Sequence, residues 1–147
     1  MKTDIATLKD LVEVLHDGKQ FYEEASHKVK HPGLAQLFSR MALTKRAIAV
    51  DLQNRIASAG AKLPKDGTVS GALHKVYSEV RVKLSSSPDA AYIGQLEAFE
   101  DRIVHAFRYA ADFSEDGEVR ALAERYLADV LRDHNEMSVL KHQMRAG

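Results

Sequence analysis

Two pairs of long amphipathic segments are the feature of this sequence that most limits how it can fold. Apolar residues recur every three or four positions over residues 4–30, 33–60, 88–113 and 117–145, which is the spacing of one face of an α-helix. Short turns join the two segments within each pair, whereas residues 61–87 separate one pair from the other. This intervening stretch is long enough to cross the molecule, so the chain reads as two helical hairpins.

The ends of these segments carry residues that stop and start helices. Pro32 disfavours helical backbone at His31 and suits the first position of the next helix. Gly60 is a typical residue to follow a helix end, and residues 114–117 (Ser-Glu-Asp-Gly) form a turn sequence. Residues 70–84 place apolar side chains on one side and therefore predict a short crossover helix between the pairs.

This plan predicts an all-α fold, namely a ferritin-like antiparallel four-helix bundle with a short crossover helix between helices 2 and 3. Because 147 residues suffice for one domain with its own hydrophobic core, we expect residues 1–147 to form a single bundle domain.

Composition excludes several classes of function. With 21 basic and 21 acidic residues, the chain has no net charge that would attract nucleic acid. It contains no cysteine, which excludes disulfides and thiolate chemistry. No apolar run approaches the length of a membrane span, and the first ten residues contain no apolar core of a signal peptide. We therefore expect a cytoplasmic protein without membrane or nucleic-acid partners.

Charged residues on the apolar faces are the candidates for a functional site. Lys45, Glu100 and Asp133 project into the stripes of segments two, three and four, and His134 lies at the edge of the last stripe. All four lie near the middle of their segments, which meet at one height in an antiparallel bundle. A lone buried charge is costly, so we expect one polar cluster, with a tyrosine hydroxyl from segment one or four at its margin. Gly18 shares this layer and predicts close packing.

Four stretches give the chain a resemblance to a known family. They are Val14–Lys19, Ser70–Lys75, Leu96–Asp101 and Val130–His134, and their order and spacing, more than any one motif, carry the match. On this basis the chain resembles a bacterial, mostly proteobacterial, ferritin-like family of unknown function. The resemblance implies a four-helix bundle with an extra crossover helix and implies no established activity.

The ferritin-like di-iron pattern is incomplete in this sequence. That pattern uses a Glu from each of two helices and a Glu-x-x-His from each of the other two. Glu100 and His134 fit two of these positions, but Leu131 stands where the second motif needs glutamate, and Lys45 places a positive charge in the same layer. The sequence therefore predicts no metal, no cofactor and no catalytic residue.

Three functions are left open by these residues. The leading hypothesis is a non-catalytic, metal-free bundle with a structural or interaction role, in a stress or housekeeping context and with a homodimer as one form of assembly. The alternative is a di-iron or di-manganese oxidase or iron-handling protein that uses Glu100 and His134. A second alternative is a small-ligand binder, which requires a pocket beside Gly18.

Overall fold

The computed structural model describes residues 2–60 and 88–146, with side chains placed for residues 4–60 and 89–143. Over these residues the protein is entirely helical, as the amphipathic pattern predicts. The helices are α1 (Lys2–Lys28), α2 (Pro32–Ser58), α3 (Pro88–Phe113) and α4 (Gly117–Ala146). Their ends differ from the predicted ones by no more than two residues. The crossover helix predicted at residues 70–84 lies outside the described residues.

The turn from α1 to α2 and the end of α2 follow from the local sequence. His31 is the N-cap of α2 and its Nδ1 accepts the Gly33 N–H at 3.0 Å, while Pro32 occupies the first helical position. At the other end, Ala59 is the C-cap and Gly60 adopts a φ of +76°. Glycine adopts this left-handed conformation without the steric cost that other residues meet, so Gly60 allows the chain to leave the helix.

The helices pack as two hairpins joined through α1 and α3. Helix α1 packs on α2 and on α3, and α3 packs on α4. The contacts run in opposite chain order within the first hairpin, because His16 contacts Gln53 whereas Tyr22 contacts Phe38. The contacts of α2 with α4 have the same reversed order, since Arg40 pairs with Glu136 and Arg55 pairs with Glu118. The mid-points of the helices therefore meet in one layer.

Apolar stripes from all four helices meet in one core. Its largest fully buried aromatic and aliphatic side chains are Tyr22, Tyr92, Phe38, Phe107, Leu11, Leu15, Leu52, Ile56, Ile93, Leu96 and Ile103. Burial of each side chain of this size contributes about 1.5–3 kcal/mol. Helix α1 buries a wide face, because Val12 and Phe21 are buried beside Leu11 and Tyr22. None of the described helices combines the length and apolar composition needed to cross a bilayer.

Candidate functional site

Lys45 is the centre of a buried ion cluster at mid-height. Its Nζ lies 2.8 Å from Glu100 Oε1 and 2.7 Å from Asp133 Oδ2. The Lys45 and Glu100 side chains are fully buried, and that of Asp133 is 15% exposed. The structure thus brings together three of the four charged residues singled out in the sequence, contributed by α2, α3 and α4.

Tyr22 of α1 completes this cluster. Its hydroxyl donates to Glu100 Oε1 at 2.7 Å, so this one oxygen accepts from both the tyrosine and the lysine. The Lys45 Nζ also lies 5.8 Å from the centre of the Tyr22 ring, within the range of a cation–π contact. Tyr126, on α4, belongs to a different contact, because its hydroxyl donates to Asp51. Each of the four helices therefore contributes one side chain to the cluster.

The electrostatics of the cluster are dominated by burial. Burial raises the pKa of the Glu100 carboxyl, and the neighbouring Lys45 ammonium and Tyr22 hydroxyl offset part of that rise. Burial and the adjacent Glu100 carboxylate hold the pKa of Tyr22 well above its ordinary value, so the hydroxyl stays protonated as a donor. Within the described part of the chain, Glu100 Oε2 is buried and has no hydrogen-bond partner. Because of this unmet acceptor, Glu100 tolerates the loss of its negative charge better than a solvated glutamate.

His134 does not reach the ion cluster, contrary to its expected membership. Its Nε2 contacts Asp101 Oδ1, and its side chain is 24% exposed. Consecutive helical residues point about 100° apart, so with Asp133 directed inward on α4, His134 is turned toward the outer side. The same geometry separates Glu100 from Asp101 on α3. The sequence offered Glu100 and His134 together as candidate metal ligands. In the structure His134 instead contacts Asp101, the residue that follows Glu100 in α3.

Donor atoms that could hold a metal ion come together on this outer side. Among the residues described by the structure, Glu97, Asp101 and His134 form the group whose candidate ligand atoms all lie within 4.8 Å of one another. Glu97 also pairs with Lys141, at 3.4 Å from Nζ to Oε1. Neither Glu97 nor Asp101 is among the candidate residues predicted from the sequence. The signal that could have found Asp101 is its i, i+4 spacing from Glu97.

The space beside Gly18 is filled. A Cβ atom at this position would lie 3.0 Å from Phe99 Cε1 and 3.1 Å from Ile103 Cδ1, both on α3. This close approach counts against the pocket that the small-ligand hypothesis requires there. A groove of about 490 Å³ lies elsewhere, at the end of the bundle where α1 begins, and is lined by residues of α1, α2 and α4 that include Leu8 and Arg55.

Asp17 is a buried charge that sequence reasoning missed. Its side chain is fully buried, and neither carboxylate oxygen has a hydrogen-bond partner among the described residues. Burial, with a contribution from the nearby Glu13 carboxylate, raises the pKa of Asp17 to about 6. Val14 and Phe21 lie three and four positions away on α1, and both pack against the core. Those two apolar neighbours are the sequence signal that this side of the helix is also covered.

Comparison with known protein families places most of the chain in one of them. Residues 3–113 match a domain of unknown function, DUF2383. The match ends where α3 ends, so it includes Tyr22, Lys45 and Glu100 but not Asp133 or His134. No curated protein matches the chain. Because the matched region spans well over half of its residues, this chain belongs to the DUF2383 family of proteins of unknown function.

Proposed function

We propose that the protein is a non-catalytic, ferritin-like antiparallel bundle whose interior ion cluster stands in place of a metal centre, and that its role is structural or in protein interaction. The observation that carries this proposal is the fully buried Lys45 ammonium between the carboxylates of Glu100 and Asp133. The bacterial, ferritin-like kinship, the cytoplasmic location and the stress or housekeeping context expected from the sequence remain parts of the same proposal.

The Lys45 ammonium argues against a dinuclear metal centre at this height. Such a centre needs carboxylate oxygens that bridge two cations. Among the described side chains, the only cation between Glu100 and Asp133 is the Lys45 ammonium. Because Lys45 is fully buried, its side chain cannot turn into solvent and make space for a metal ion. Tyr22 further occupies the Glu100 oxygen that faces the lysine. A metal would have to displace a buried ammonium and break that hydrogen bond.

A structural role suits the energetics of the cluster. Removing an ion pair from water costs several kcal/mol per ion, and the mutual attraction of the ions repays this only with good geometry and further hydrogen bonds. In some proteins, buried ionic groups contribute less to net stability than to the choice of one packing arrangement over others, and we propose the same role for this cluster. Because four helices share the Lys45 cluster, only one relative placement of those helices satisfies it.

An interaction role is supported by exposed apolar side chains. The rings of Tyr109 and Phe113 contact each other at the end of α3, with centres 5.0 Å apart and planes tilted by 39°, and more than half of each residue is exposed. Large exposed apolar groups on a folded protein often mark contacts with other chains. Sedimentation of the protein with Phe113→Ser and Tyr109→Ser tests the homodimer. A dimer that these substitutions dissociate supports the interaction role, whereas a wild-type protein that stays monomeric at about 200 μM counts against a homodimer.

Metal analysis tests the proposed function directly. The full-length, untagged chain is purified without chelator, incubated anaerobically with ferrous iron or Mn²⁺, desalted and assayed for metal, alongside Glu100→Gln. We expect the Glu100 substitution to leave the metal content unchanged. Stoichiometric iron or manganese in the wild type that is lost in Glu100→Gln would instead establish the di-metal alternative.

A further inference from the structure

We propose that Glu97, Asp101 and His134 form a binding site for a single divalent transition-metal ion of the Zn²⁺ type, on the outer side of the seam between α3 and α4. The inference goes beyond the proposed function, because it concerns the bundle surface and uses none of the residues of the interior ion cluster.

The site and the ion cluster use neighbouring residues that point in different directions. Glu100 and Asp133 face inward to Lys45, whereas Asp101 and His134 contact each other on the outer side. Glu97 lies one helical turn before Asp101, so both carboxylates rise from the same face of α3. The third donor, His134, lies on α4, so a metal ion bound to all three residues would connect two packed helices.

The geometry of the three donors is close to that of a metal site. Their ligand atoms all lie within 4.8 Å of one another, whereas donors bound to one Zn²⁺ at about 2.0–2.2 Å lie roughly 3–4 Å apart. Binding of an ion therefore requires the side chains to move by only about 1–2 Å relative to one another. The His134 Nδ1 faces Asn135 Oδ1 at 3.4 Å, on the opposite side of the ring from Asp101. That arrangement leaves Nε2 directed at the carboxylates, in the orientation that metal-bound histidines take.

The burial of the donors suits a surface site that an ion can enter. The side chains of Glu97 and His134 are 14% and 24% exposed, whereas that of Asp101 is 59% exposed. Two donors are therefore held by packing, and the third can close over the ion. Two carboxylates and one imidazole favour Zn²⁺ and similar transition metals over Mg²⁺ or Ca²⁺, which prefer oxygen ligands alone.

A metal must open the direct contact between His134 Nε2 and Asp101 Oδ1, and it must compete for Glu97 with Lys141. The Lys141 Nζ lies 3.4 Å from Glu97 Oε1, and the lysine side chain is 33% exposed. Unlike the fully buried Lys45, this lysine can swing into solvent along its flexible stem. Removal of its charge should therefore strengthen metal binding, an effect that a purely structural Glu97–Lys141 ion pair would not produce.

Calorimetric titration of the full-length, untagged protein with Zn²⁺ tests the site. We expect one ion per chain at pH 7.5, with binding weakened at least about 10-fold by Asp101→Asn and by His134→Asn, the range seen when metal-site residues are disturbed. Lys141→Met should tighten binding several-fold. The exposed His105 on α3 provides the control, because His105→Ala should leave the affinity unchanged. Circular dichroism of each variant establishes that the helices are intact.

Three results would overturn the proposal. One is the absence of saturable Zn²⁺ binding to the wild type and to Lys141→Met. Another is binding that survives Asp101→Asn and Glu97→Gln in folded protein. The third is binding that His105→Ala removes. The proposed function has a separate signature, since metal bound in the interior would be lost in Glu100→Gln, whereas metal bound at the outer site would be retained in that variant.

Discussion

Individual buried charges in this protein differ in how they are compensated. Lys45 and Glu100 are fully buried and paired, and each has a second polar neighbour. Asp17 is equally buried but has no hydrogen-bond partner among the described residues. A buried charge is tolerated when partners replace its hydration, and an unpartnered acid instead takes up a proton. These two environments lead to opposite expectations for substitution.

Lys45→Met should destabilise the protein less than Glu100→Ala at pH 5. Methionine fills the volume of the lysine stem, and Glu100, whose pKa burial already raises, can become neutral. Glu100→Ala leaves a cavity and removes the acceptor of Tyr22, at a cost of about 2–5 kcal/mol. Urea denaturation of both variants measures the difference, with the exposed Lys28→Met as control.

The pH dependence of Lys45→Met provides a second check on the same pair. Burial already holds the folded-state pKa of the Glu100 carboxyl above its ordinary value, and loss of the Lys45 ammonium, which offsets part of that rise, should raise this pKa further. The stabilising contribution of Glu100 is therefore fully present below the unfolded pKa and is lost as pH rises through the folded pKa. Stability of the variant should therefore fall relative to wild type from pH 5 to pH 8, by up to about 1.4 kcal/mol per pH unit. Equal, near-zero effects of both substitutions at every pH would show that the cluster is solvated.

Asp17→Asn should stabilise the protein near neutral pH. The folded pKa of Asp17, about 6, lies above the ordinary aspartate value, so its contribution to stability is present below about pH 4 and is lost as pH rises through 6. The amide cannot ionise, so the variant should gain roughly 1–2 kcal/mol at pH 7.5 and little at pH 4. Urea denaturation at both pH values tests this, with the exposed Asp112→Asn as control. A gain that is the same at both pH values would contradict the assignment.

At the scale of elements, each hairpin is fixed by an aspartate from the first turn of the other. Asp4 in α1 accepts the backbone N–H groups of Glu115 and Asp116 at 3.0 and 2.7 Å, at the turn that precedes α4. Asp89 in α3 accepts those of Lys30 and His31 at 2.8 and 3.1 Å, at the turn that precedes α2. Each aspartate thus accepts hydrogen bonds from backbone N–H groups at the start of a helix in the opposite hairpin. Its negative charge also interacts favourably with the positive end of that helix dipole.

Asp4→Asn should lower the free energy of unfolding by about 1–2 kcal/mol at pH 7. An amide provides only one acceptor oxygen and no charge, so the turn before α4 loses part of its hydrogen bonding. Burial raises the pKa of Asp4, but the hydrogen bonds from Glu115 and Asp116 outweigh that effect and lower it overall. Its contribution is therefore present above the unfolded pKa and is lost as pH falls through the folded value. The difference between variant and wild type should shrink toward pH 3, and a difference that grows on acidification would contradict this prediction. Thermal unfolding between pH 3 and pH 7 measures it.

The contact of α1 with α3 at Gly18 can be tested against another glycine in the same bundle. Gly18→Val should destabilise the protein by about 1–3 kcal/mol, because Phe99 and Ile103 already stand at the limit of contact with a Cβ atom. Gly94, within α3, has no atom within 4 Å of such a Cβ, so Gly94→Ala should stabilise by about 0.5–1 kcal/mol through helix propensity. Chemical denaturation of both variants gives the comparison, and stabilisation by Gly18→Val would show that the two helices separate readily.

For the four helices together, the proposed role of the ion cluster is to select one packing arrangement. Simultaneous replacement of its charges, as Lys45→Met with Glu100→Leu and Asp133→Leu, removes the desolvation cost along with the attraction. We expect this triple variant to be as stable as the wild type or more stable by about 1–4 kcal/mol, with less uniform packing. Denaturation and the dispersion of amide NMR signals measure the two effects. A large loss of stability with fully dispersed signals would show that the cluster contributes stability and not specificity.

The positions of the helices and the common height of the charged residues could both be predicted from the amino-acid sequence. Both depend on local information, because a helix repeats every 3.6 residues and the mid-points of joined helices meet when the hairpins close. On this basis Lys45, Glu100 and Asp133 could be placed in one layer before any contact was known. Gly18 could be placed against a large side chain for the same reason.

The partners of the remaining polar residues depend on how the four helices pack, and they could not be predicted from the sequence. Asp4 lies in the first turn of α1, yet it binds a turn more than a hundred positions away. His134 points away from the cluster because neighbouring residues of a helix project about 100° apart. A helical projection from the sequence places a side chain only to within about one residue, so it did not separate His134 from Asp133. Asp17 is buried although aspartate side chains are mostly exposed in folded proteins. These outcomes depend on how helices rotate and pack against one another, and that rotation is decided by side-chain contacts between segments far apart in the chain.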